Sequence, residues 1–480
     1  MTATTGADAV RTQATATTLD GKGVGIAVLD SGIYQAHTSF LGEHSTNRVV
    51  ASQDFTGEGR TDDPYGHGTH VAGIAAGNGS VAGGAYAGIA PNANIINLRV
   101  LDSQGVGTVS GVLAALDWVV TNRQAYNIRV ANLSLGTPSV DSYRFDPLCQ
   151  AVRRLVDAGV VVAVAAGNSG RDDSGNKIYG AVHSPGNEPS AITVGAANAF
   201  GTDGRGDDGI ATYSSRGPTR SYWTDDGGAR RYDNLIKPDL VAPGNKIISA
   251  EAVDNLLVTQ NPHLDAGVSS SAERKMMYFS GTSMATPVVA GAAALLLQAN
   301  PRLTPNLVKA LLMYTAQPLV GFNRLEQGAG ALNVEGAARL AVLVRTDLTA
   351  NTPVGAPLLT TLTPPVPRST IAGETFTWAQ SINFDYCHAS GDNLITKYQG
   401  VYATGYLLGD GVIVSDGVIV SDGVIVSDGV IVSDGVIVSD GVIVSDGVIV
   451  SDGVIVSDGV VYTQPPVITD DGAPSDGGGL

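Results

Sequence analysis

The sequence predicts a doubly wound α/β domain, with a mostly parallel sheet and helices on both faces, followed by a β-type or disordered repeat tail. Three observations lead to this fold class. Short apolar runs without polar alternation are typical of strands buried on both faces. Segments with helical spacing lie between these runs, as in a parallel sheet with helical crossovers. Beyond residue 410 one hexapeptide recurs along the chain.

The individual elements follow from these patterns in chain order. Buried strands are predicted at four apolar runs: 23–30, 94–101, 130–135 and 160–166. Helices are predicted from apolar spacing, capping residues and stop signals over 110–122, 147–158, 288–298, 304–315 and 333–340. In parallel sheets of this kind, ligand sites form at the C-terminal ends of the strands. Polar residues at those ends are therefore the first candidates for function.

The chain divides into three segments: the α/β domain over 1–341, a Pro/Thr-rich linker and aromatic-containing extension over 342–409, and an acidic repeat tail over 410–480. Eight unchanged Gly-Val-Ile-Val-Ser-Asp copies run from Gly411 to Asp458. Alternating apolar residues joined by Asp-Gly fit a meander of hairpins. A disordered spacer kept soluble by aspartate fits equally well. A left-handed β-helix also fits but is less favoured.

Composition excludes two classes of partner. The 480 residues carry a net charge of −17, and the twelve aspartates from Asp410 onward supply most of it. Because no basic face is available for phosphates, we expect no nucleic-acid binding. We also expect no membrane association, because no apolar run approaches the ~18–20 residues of a membrane-spanning helix. Cys149 and Cys387 allow one disulfide bond, but nothing in the sequence establishes it.

Three residues stand at the ends of apolar elements and carry side chains suited to catalysis. Asp30 ends the first buried strand, His67 lies between two glycines before a helix, and Ser283 precedes a long apolar helix. Taken singly, each has an ordinary structural explanation as a turn aspartate, a capping or core histidine (a role that suits His70 better) and a helix cap. The helix N-terminus beside His67 favours the neutral imidazole.

Together these residues have the chemistry of acyl transfer. A serine hydroxyl is a poor nucleophile at neutral pH and needs an adjacent base. Histidine serves as that base, and a carboxylate fixes its tautomer and stabilises the imidazolium. The order Asp30, His67, Ser283 is one of the known chain orders of such a triad.

The motifs around these residues resemble those of the subtilisin family (subtilases, peptidase S8) of serine endopeptidases. The matching blocks cover residues 20–341 in the family's order: Val28–Ile33, His67–Gly73, Asn132–Gly136, Val162–Asn168, Pro238–Gly244 and Gly281–Pro287. The resemblance implies a subtilisin-like fold that hydrolyses peptide bonds of proteins through an acyl-enzyme. It assigns the catalytic triad to Asp30, His67 and Ser283.

The resemblance also implies residues that bind the substrate. Asn168 matches the side chain of the oxyanion hole, beside the Ser283 backbone N–H. Ser134, Leu135 and Gly136 match the edge strand on which an extended peptide adds by β-augmentation. The segment Ala165-Ala166-Gly167 matches one wall of the S1 pocket, and its small side chains leave room for a large P1 side chain. The leading expectation is a broad, apolar-leaning P1 preference. The base of that pocket is expected between residues 171 and 186.

The resemblance also leads to expectations about cofactors, partners and location. No cofactor is required for the chemistry. A structural calcium ion is compatible with the family, although Ser39 replaces a common aspartate ligand and the loop Asn78–Ser80 matches only in part. We expect protein or peptide substrates, a monomeric peptidase domain and an extracellular location, the last from the family alone because the N-terminal residues lack signal-peptide features. The alternative is a catalytically inactive subtilase fold that serves as a binding or adhesion module.

Overall fold

The computed structural model describes residues 1–12, 18–349, 351–384 and 387–403, together with the backbone of eight short strands in the repeat. An eight-stranded sheet lies at its centre. Its strands, numbered in chain order, are β1 (Gly25–Asp30), β2 (Val49–Asp54), β3 (Asn94–Arg99), β4 (Ile128–Leu133), β5 (Val161–Ala165), β6 (Ile192–Asn198), β7 (Gly209–Ile210) and, after the hairpin of β8 (Tyr222–Thr224) and β9 (Arg230–Tyr232), β10 (Leu240–Pro243). The spatial order is β2-β3-β1-β4-β5-β6-β10 with all neighbours parallel, and β7 is antiparallel to β6.

Helices connect and cover these strands. They are α1 (Thr2–Thr5), α2 (Ala7–Thr12), α3 (His67–Ala76), α4 (Val109–Asn122), α5 (Pro147–Asp157), α6 (Leu256–Gln260), α7 (Thr282–Ala299), α8 (Pro305–Thr315), α9 (Arg324–Gln327), α10 (Val334–Ala341) and α11 (Asn393–Thr396). Short 3-10 turns lie at Thr38–Phe40, Glu43–Ser45, Ser80–Ala82, Pro262–Leu264, Ala272–Arg274 and Gly400–Ala403. The predicted α/β class is confirmed, and each of the four predicted strands lies within two residues of its predicted bounds.

The central helix α7 begins earlier than predicted. The sequence placed its start at residue 288, after Pro287, but the helix begins at Thr282 and contains that proline. A proline inside a helix leaves the carbonyl four residues earlier without its usual N–H donor. Here that carbonyl belongs to Ser283, and it accepts a hydrogen bond from Ser134 Oγ at 2.8 Å instead. The helix therefore continues through Pro287 because a neighbouring strand end supplies the missing donor.

Two apolar clusters cover the two faces of the sheet. One joins the sheet to α3, α7, α8 and α10, and the other joins it to α4 and α5. Helix α7 is the one described helix that is long and apolar enough to cross a membrane, but 83% of it is buried in this core. Its apolar character is therefore explained by packing against β4, β5 and β6.

The sheet reverses its strand order at β1, which lies between β3 and β4. From this central strand the sheet grows outward in both directions, and a crevice forms at the carboxyl ends of the strands where the order reverses. Asp30 is the last residue of β1 and stands opposite Arg99 of β3. The topology thus places Asp30 at the point where doubly wound sheets bind their ligands.

Residues beyond the sheet pack onto the same core. The hairpin β11 (Ile247–Ala250) and β12 (Met276–Phe279) lies against α3. In the extension, β13 (Arg368–Ile371) pairs with β14 (Glu374–Thr377), and β15 (Ser381–Phe384) pairs with β16 (Cys387–Ser390). The side chains of Trp378, Phe384 and Tyr402 are buried in the cluster of α8 and α10.

The described strands of the repeat pair in parallel. They are β17 (Val412–Ser415), β18 (Ile419–Val420), β19 (Val424–Ser427), β20 (Ile431–Ser433), β21 (Ile437–Ser439), β22 (Ile443–Ser445), β23 (Ile449–Ser451) and β24 (Ile455–Val456). Odd-numbered strands form one sheet and even-numbered strands another, and each residue faces the one twelve positions later. The predicted antiparallel hairpin meander is wrong for these strands, and the arrangement is closer to the stacked β-helix alternative.

Cys149 is a free, buried cysteine, so the disulfide bond that the sequence left open is not formed. Its sulfur lies 3.1 Å from Asn187 Oδ1, and burial raises the pKa of its thiol well above the usual value. The side chain of Cys387 lies outside the described residues. Cys149 therefore behaves as a small core residue rather than as a crosslink.

Candidate active site

Asp30 and His67 are in direct contact at the carboxyl end of β1. The Asp30 side chain is 1% exposed, and its Oδ1 lies 2.7 Å from His67 Nδ1. The same oxygen accepts a hydrogen bond from the Ser31 backbone N–H at 2.8 Å. A buried carboxylate is costly unless it is hydrogen-bonded in this way. These bonds hold the carboxylate in place and orient the imidazole ring.

His67 reaches Asp30 because helix α3 approaches the end of β1 very closely. The helix begins at His67, and a Cβ atom at Gly68 would lie 2.2 Å from the Gly32 carbonyl oxygen and 3.1 Å from Asp30 Cβ. Only glycine fits at that position. The glycine after His67 is therefore a requirement of the contact between helix and strand.

The pKa of His67 results from opposing contributions. Burial lowers the pKa of His67, but the charge and hydrogen bond of Asp30, with a smaller contribution from Asp63, raise it, and the net pKa lies above 6.5. The direction of the net shift is thus set by Asp30, an opposite charge in direct contact. The expected effect of the helix N-terminus is not among these contributions and stays a prediction.

Asp63 is a supporting residue that the sequence analysis missed. It is buried and accepts hydrogen bonds from the Ser31 hydroxyl, the Gly66 N–H and the Thr69 N–H, each at 2.7 Å. It thereby ties the loop after β1 to the first turn of α3. Its position four residues before His67, ahead of a helix start, was the available signal. Burial raises the pKa of this carboxyl group above its usual value.

Ser283 lies in the first turn of α7 and exchanges hydrogen bonds with Ser134. The Ser283 hydroxyl donates to the Ser134 carbonyl at 3.2 Å, and Ser134 Oγ donates to the Ser283 carbonyl at 2.8 Å. The first N–H groups of a helix have no partner within the helix, so they favour negative charge nearby. In this structure the Ser283 hydroxyl is bonded to the carbonyl of Ser134, the residue that follows β4.

The amide group of Asn168 has a fixed orientation beside Ser283. Its Oδ1 accepts hydrogen bonds from the Thr282 backbone N–H at 2.9 Å and from the Thr282 hydroxyl at 3.0 Å. Because both donors meet Oδ1, the NH₂ group takes no part in these bonds, and Asn168 and Ser283 line the same cavity. The arrangement places an amide side chain beside the serine hydroxyl, where a donor could stabilise an oxyanion.

Two cavities adjoin these residues. One, of about 270 Å³, contains Ser283 and Asn168 at its mouth and is lined by Leu135, Gly136, Ala165, Gly167, Ser169, His183 and Thr282. The other, of about 440 Å³, is lined by His67 and by parts of the segments 105–109 and 134–137. Leu135 and Gly136 line both cavities, whereas Ser134 lines the larger one.

The three residues of the predicted S1 wall differ in their placement. Ala165 and Gly167 line the smaller cavity, whereas Ala166 is fully buried and its carbonyl accepts the N–H of His183. This follows from strand alternation, since consecutive residues point to opposite sides. His183 and Ser169 also line the cavity and were not singled out from the sequence.

Aromatic packing supports His67 from outside. The Phe279 ring stacks on His67, with centroids 6.4 Å apart, and packs against His70 at 4.9 Å. His70 is buried and bonds to the carbonyls of Ile247 and Met277. Burial, and then the neighbouring His67, lower its pKa to about 3. The expectation that His70 is the structural histidine is therefore consistent with its environment.

The loop that the family resemblance associates with calcium is closed by side-chain donors. Asn78 Nδ2 donates to the carbonyls of Thr38 and Leu41 at 2.8 and 2.7 Å, while Asn78 Oδ1 accepts from the Ser80 N–H at 2.8 Å. These bonds fix the amide with its nitrogen toward the carbonyl oxygens. A calcium ion requires oxygen ligands at that point.

Arg48 satisfies the remaining carbonyls of this region. Its buried guanidinium donates to the carbonyls of Ser39, Ala76 and Ala93 at 2.8, 2.7 and 2.8 Å. Burial lowers the pKa of Arg48 to about 10, so it stays cationic at neutral pH. In the described part of the chain, no three His, Cys, Asp or Glu side chains are grouped to hold a metal ion. The residues present therefore do not fit calcium at this loop.

Comparison with known proteins places this geometry in context. Residues 21–337 match the model of the subtilase family. The chain is 39% identical over 330 residues to serine protease AprX of Bacillus subtilis (strain 168), which covers 67% of each chain. It is 36% identical over 304 residues to the extracellular serine proteinase of Thermus sp. (strain Rt41A), covering 63% of this chain and 57% of that protein. The crystal structure of a cold adapted subtilisin-like serine proteinase is 33% identical and covers 65% of this chain and 88% of that chain, with a TM-score of 0.44.

Proposed function

The chain belongs to the subtilase family of serine proteases, and we propose that Asp30, His67 and Ser283 are the triad of its endopeptidase activity. The observation that carries this proposal is the 2.7 Å hydrogen bond between His67 Nδ1 and the buried Asp30. It keeps the Nδ1 proton directed toward the carboxylate, so Nε2 is the basic nitrogen of the ring.

Catalysis begins with rotation of the Ser283 hydroxyl from the Ser134 carbonyl toward His67 Nε2. Nε2 takes the hydroxyl proton while Oγ bonds to the carbonyl carbon of the substrate, whose π electrons move to its oxygen. The resulting imidazolium is stabilised by Asp30. The hydrogen bond between a catalytic serine and its histidine is often long before substrate binds. The contact of the Ser283 hydroxyl with Ser134 is therefore compatible with the role of Ser283 as nucleophile.

The oxyanion of the tetrahedral intermediate accepts hydrogen bonds from Asn168 Nδ2 and the Ser283 backbone N–H. His67 then returns its proton to the leaving amine, the C–N bond breaks, and an acyl-enzyme remains on Ser283. Water attacks this ester with His67 as base again, and the proton passes to Ser283 as the acid product leaves. Because Thr282 holds Asn168 Oδ1, the donor needs no reorganisation when the charge develops.

An extended polypeptide is the substrate that suits the groove. Leu135 and Gly136 line both cavities, and residues 105–109 line the larger one together with Ser134 and Thr137. A peptide that adds along Ser134–Gly136 can place successive side chains in the two cavities. Its backbone supplies affinity, and the smaller cavity receives the P1 side chain.

Further properties follow from this assignment. We expect no metal ion in the chemistry, and no calcium at the loop closed by Arg48 and Asn78. We place the activity outside the cytoplasm, because the relative from Thermus is named extracellular. We further propose that the peptidase domain acts as a monomer on protein or peptide substrates.

The test is covalent labelling with a fluorophosphonate, followed by intact-mass measurement and peptide mapping. A single adduct on Ser283 is expected, together with hydrolysis of an unfolded protein. Ser283→Ala should abolish both while circular dichroism stays unchanged. Absence of an adduct on the folded protein would refute the triad and favour the inactive binding module.

A further inference from the structure

A histidine that the proposed mechanism does not use lines the smaller cavity. His183 shares this cavity with Ser283 and Asn168 but lies on the loop before the cis Ser184–Pro185 bond rather than on a catalytic element. Its backbone is fixed by a hydrogen bond from its N–H to the Ala166 carbonyl at 3.0 Å. The side chain therefore projects from a well-held backbone into the space that receives P1.

Two glycines leave the space that the imidazole of His183 occupies. A Cβ atom at Gly167, where φ is +107°, would lie 2.9 Å from His183 Cγ and Cδ2. A Cβ atom at Gly136 would lie 3.1 Å from His183 Cβ. The imidazole therefore packs against both glycines, which line the same cavity. A P1 side chain bound in this cavity would meet the imidazole.

The imidazole can offer the substrate a hydrogen bond. Its Nε2 lies 3.2 Å from the Ser169 hydroxyl, which can donate or accept. When the hydroxyl donates to Nε2, the ring proton stays on Nδ1, which then acts as the donor. Burial lowers the pKa of His183 below its usual value, so the ring is mainly neutral at pH 7 and above.

No carboxylate lines this cavity in the described residues. A P1 lysine or arginine would therefore find no counter-charge at the base. An apolar P1 side chain would cover the imidazole nitrogen without giving it a partner, and an unpaired buried polar group is costly. A P1 side chain that ends in an oxygen acceptor avoids both penalties.

We propose that His183 determines P1 specificity and makes the pocket favour glutamine and glutamate over apolar or cationic side chains of similar length. This inference rests on the proposed function, because it takes Ser283 as the nucleophile and the smaller cavity as the P1 site. It replaces the broad, apolar-leaning P1 preference expected from the sequence.

The experiment uses peptides that differ only at P1, carrying Gln, Glu, Met, Lys or Phe, and measures kcat/KM at pH 8. The wild-type protein should cleave the Gln and Glu peptides about tenfold faster than the Met peptide. His183→Leu keeps the bulk of the ring but removes its nitrogens, so the order of Gln and Met should reverse. His183→Ala removes the ring and enlarges the cavity, so kcat/KM should increase most for the Phe peptide.

The controls separate this inference from the proposed function. His44→Leu, at an exposed histidine, should leave the P1 profile unchanged. Labelling of Ser283 combined with a P1 profile that His183→Leu does not alter would overturn the role of His183 alone. Failure to label Ser283 and to cleave any peptide would overturn the proposed function, and the inference would fall with it.

Discussion

Replacement of Asn168 tests the oxyanion hole with little disturbance of the fold. Asn168→Asp keeps the oxygen that accepts both hydrogen bonds from Thr282 but exchanges the NH₂ donor for a second oxygen. One of two donors to the oxyanion is then lost, and the Ser283 N–H remains. Loss of one such donor costs about 10²–10³ in kcat, or about 2.7–4 kcal/mol, as measured in subtilisin itself. We expect at least this loss for Asn168→Asp, since the new carboxylate also repels the oxyanion.

The effect should fall on kcat rather than on KM. The Asn168 amide gains its substrate partner only as charge develops on the carbonyl oxygen, so ground-state binding changes little. The assay is hydrolysis of a peptide substrate under saturating and limiting conditions, with Asn168→Ala for comparison and thermal unfolding as a control of the fold. An unchanged kcat, or a loss confined to KM, would refute the assignment of Asn168 as an oxyanion donor.

Two other predictions concern His67 and the calcium loop. Activity should rise with pH as His67 loses its proton, with a midpoint above 6.5 because Asp30 raises the His67 pKa. Asp30→Asn should lower that midpoint and reduce kcat about 10⁴-fold. A pH–rate profile that is flat from pH 5 to 8 would contradict the role of His67. A chelator such as EDTA should leave the unfolding temperature unchanged, because Arg48 and Asn78 occupy the carbonyls of the loop. Arg48→Met should destabilise the protein by about 3 kcal/mol, since three buried carbonyls lose a charged donor; a chelator-sensitive wild type or an equally stable variant would argue against this account.

Much of the fold and the position of the site follow from local sequence patterns. Apolar runs predict the central strands because strands buried on both faces carry little polar alternation. The meeting of Asp30 and His67 is predictable because β1 lies at the switch point of a parallel sheet and glycines flank the histidine. The start of α7 was misjudged, since Pro287 indicated a helix boundary while Ser134 supplied the missing donor.

Other features depend on distances that no local pattern encodes. The net pKa shift of His67 is upward mainly because the charge of Asp30 and its 2.7 Å hydrogen bond outweigh burial. His183 reaches the smaller cavity from an irregular loop, so neither helical nor strand periodicity marks it. The repeat is ambiguous for a different reason, because identical hexapeptides contain no information about which copy pairs with which.

The twelve-residue pairing of the repeat has a consequence for how this tail can evolve. Successive copies alternate between two parallel sheets, and every copy is identical. Gain or loss of one hexapeptide through slippage of the encoding DNA moves each later strand to the opposite sheet, yet that strand meets the same neighbours. The tail can thus change length in single-copy steps, and each pair of copies extends it by about 4.8 Å. Such changes in length require no new interface, because each added pair of copies repeats contacts that the array already makes.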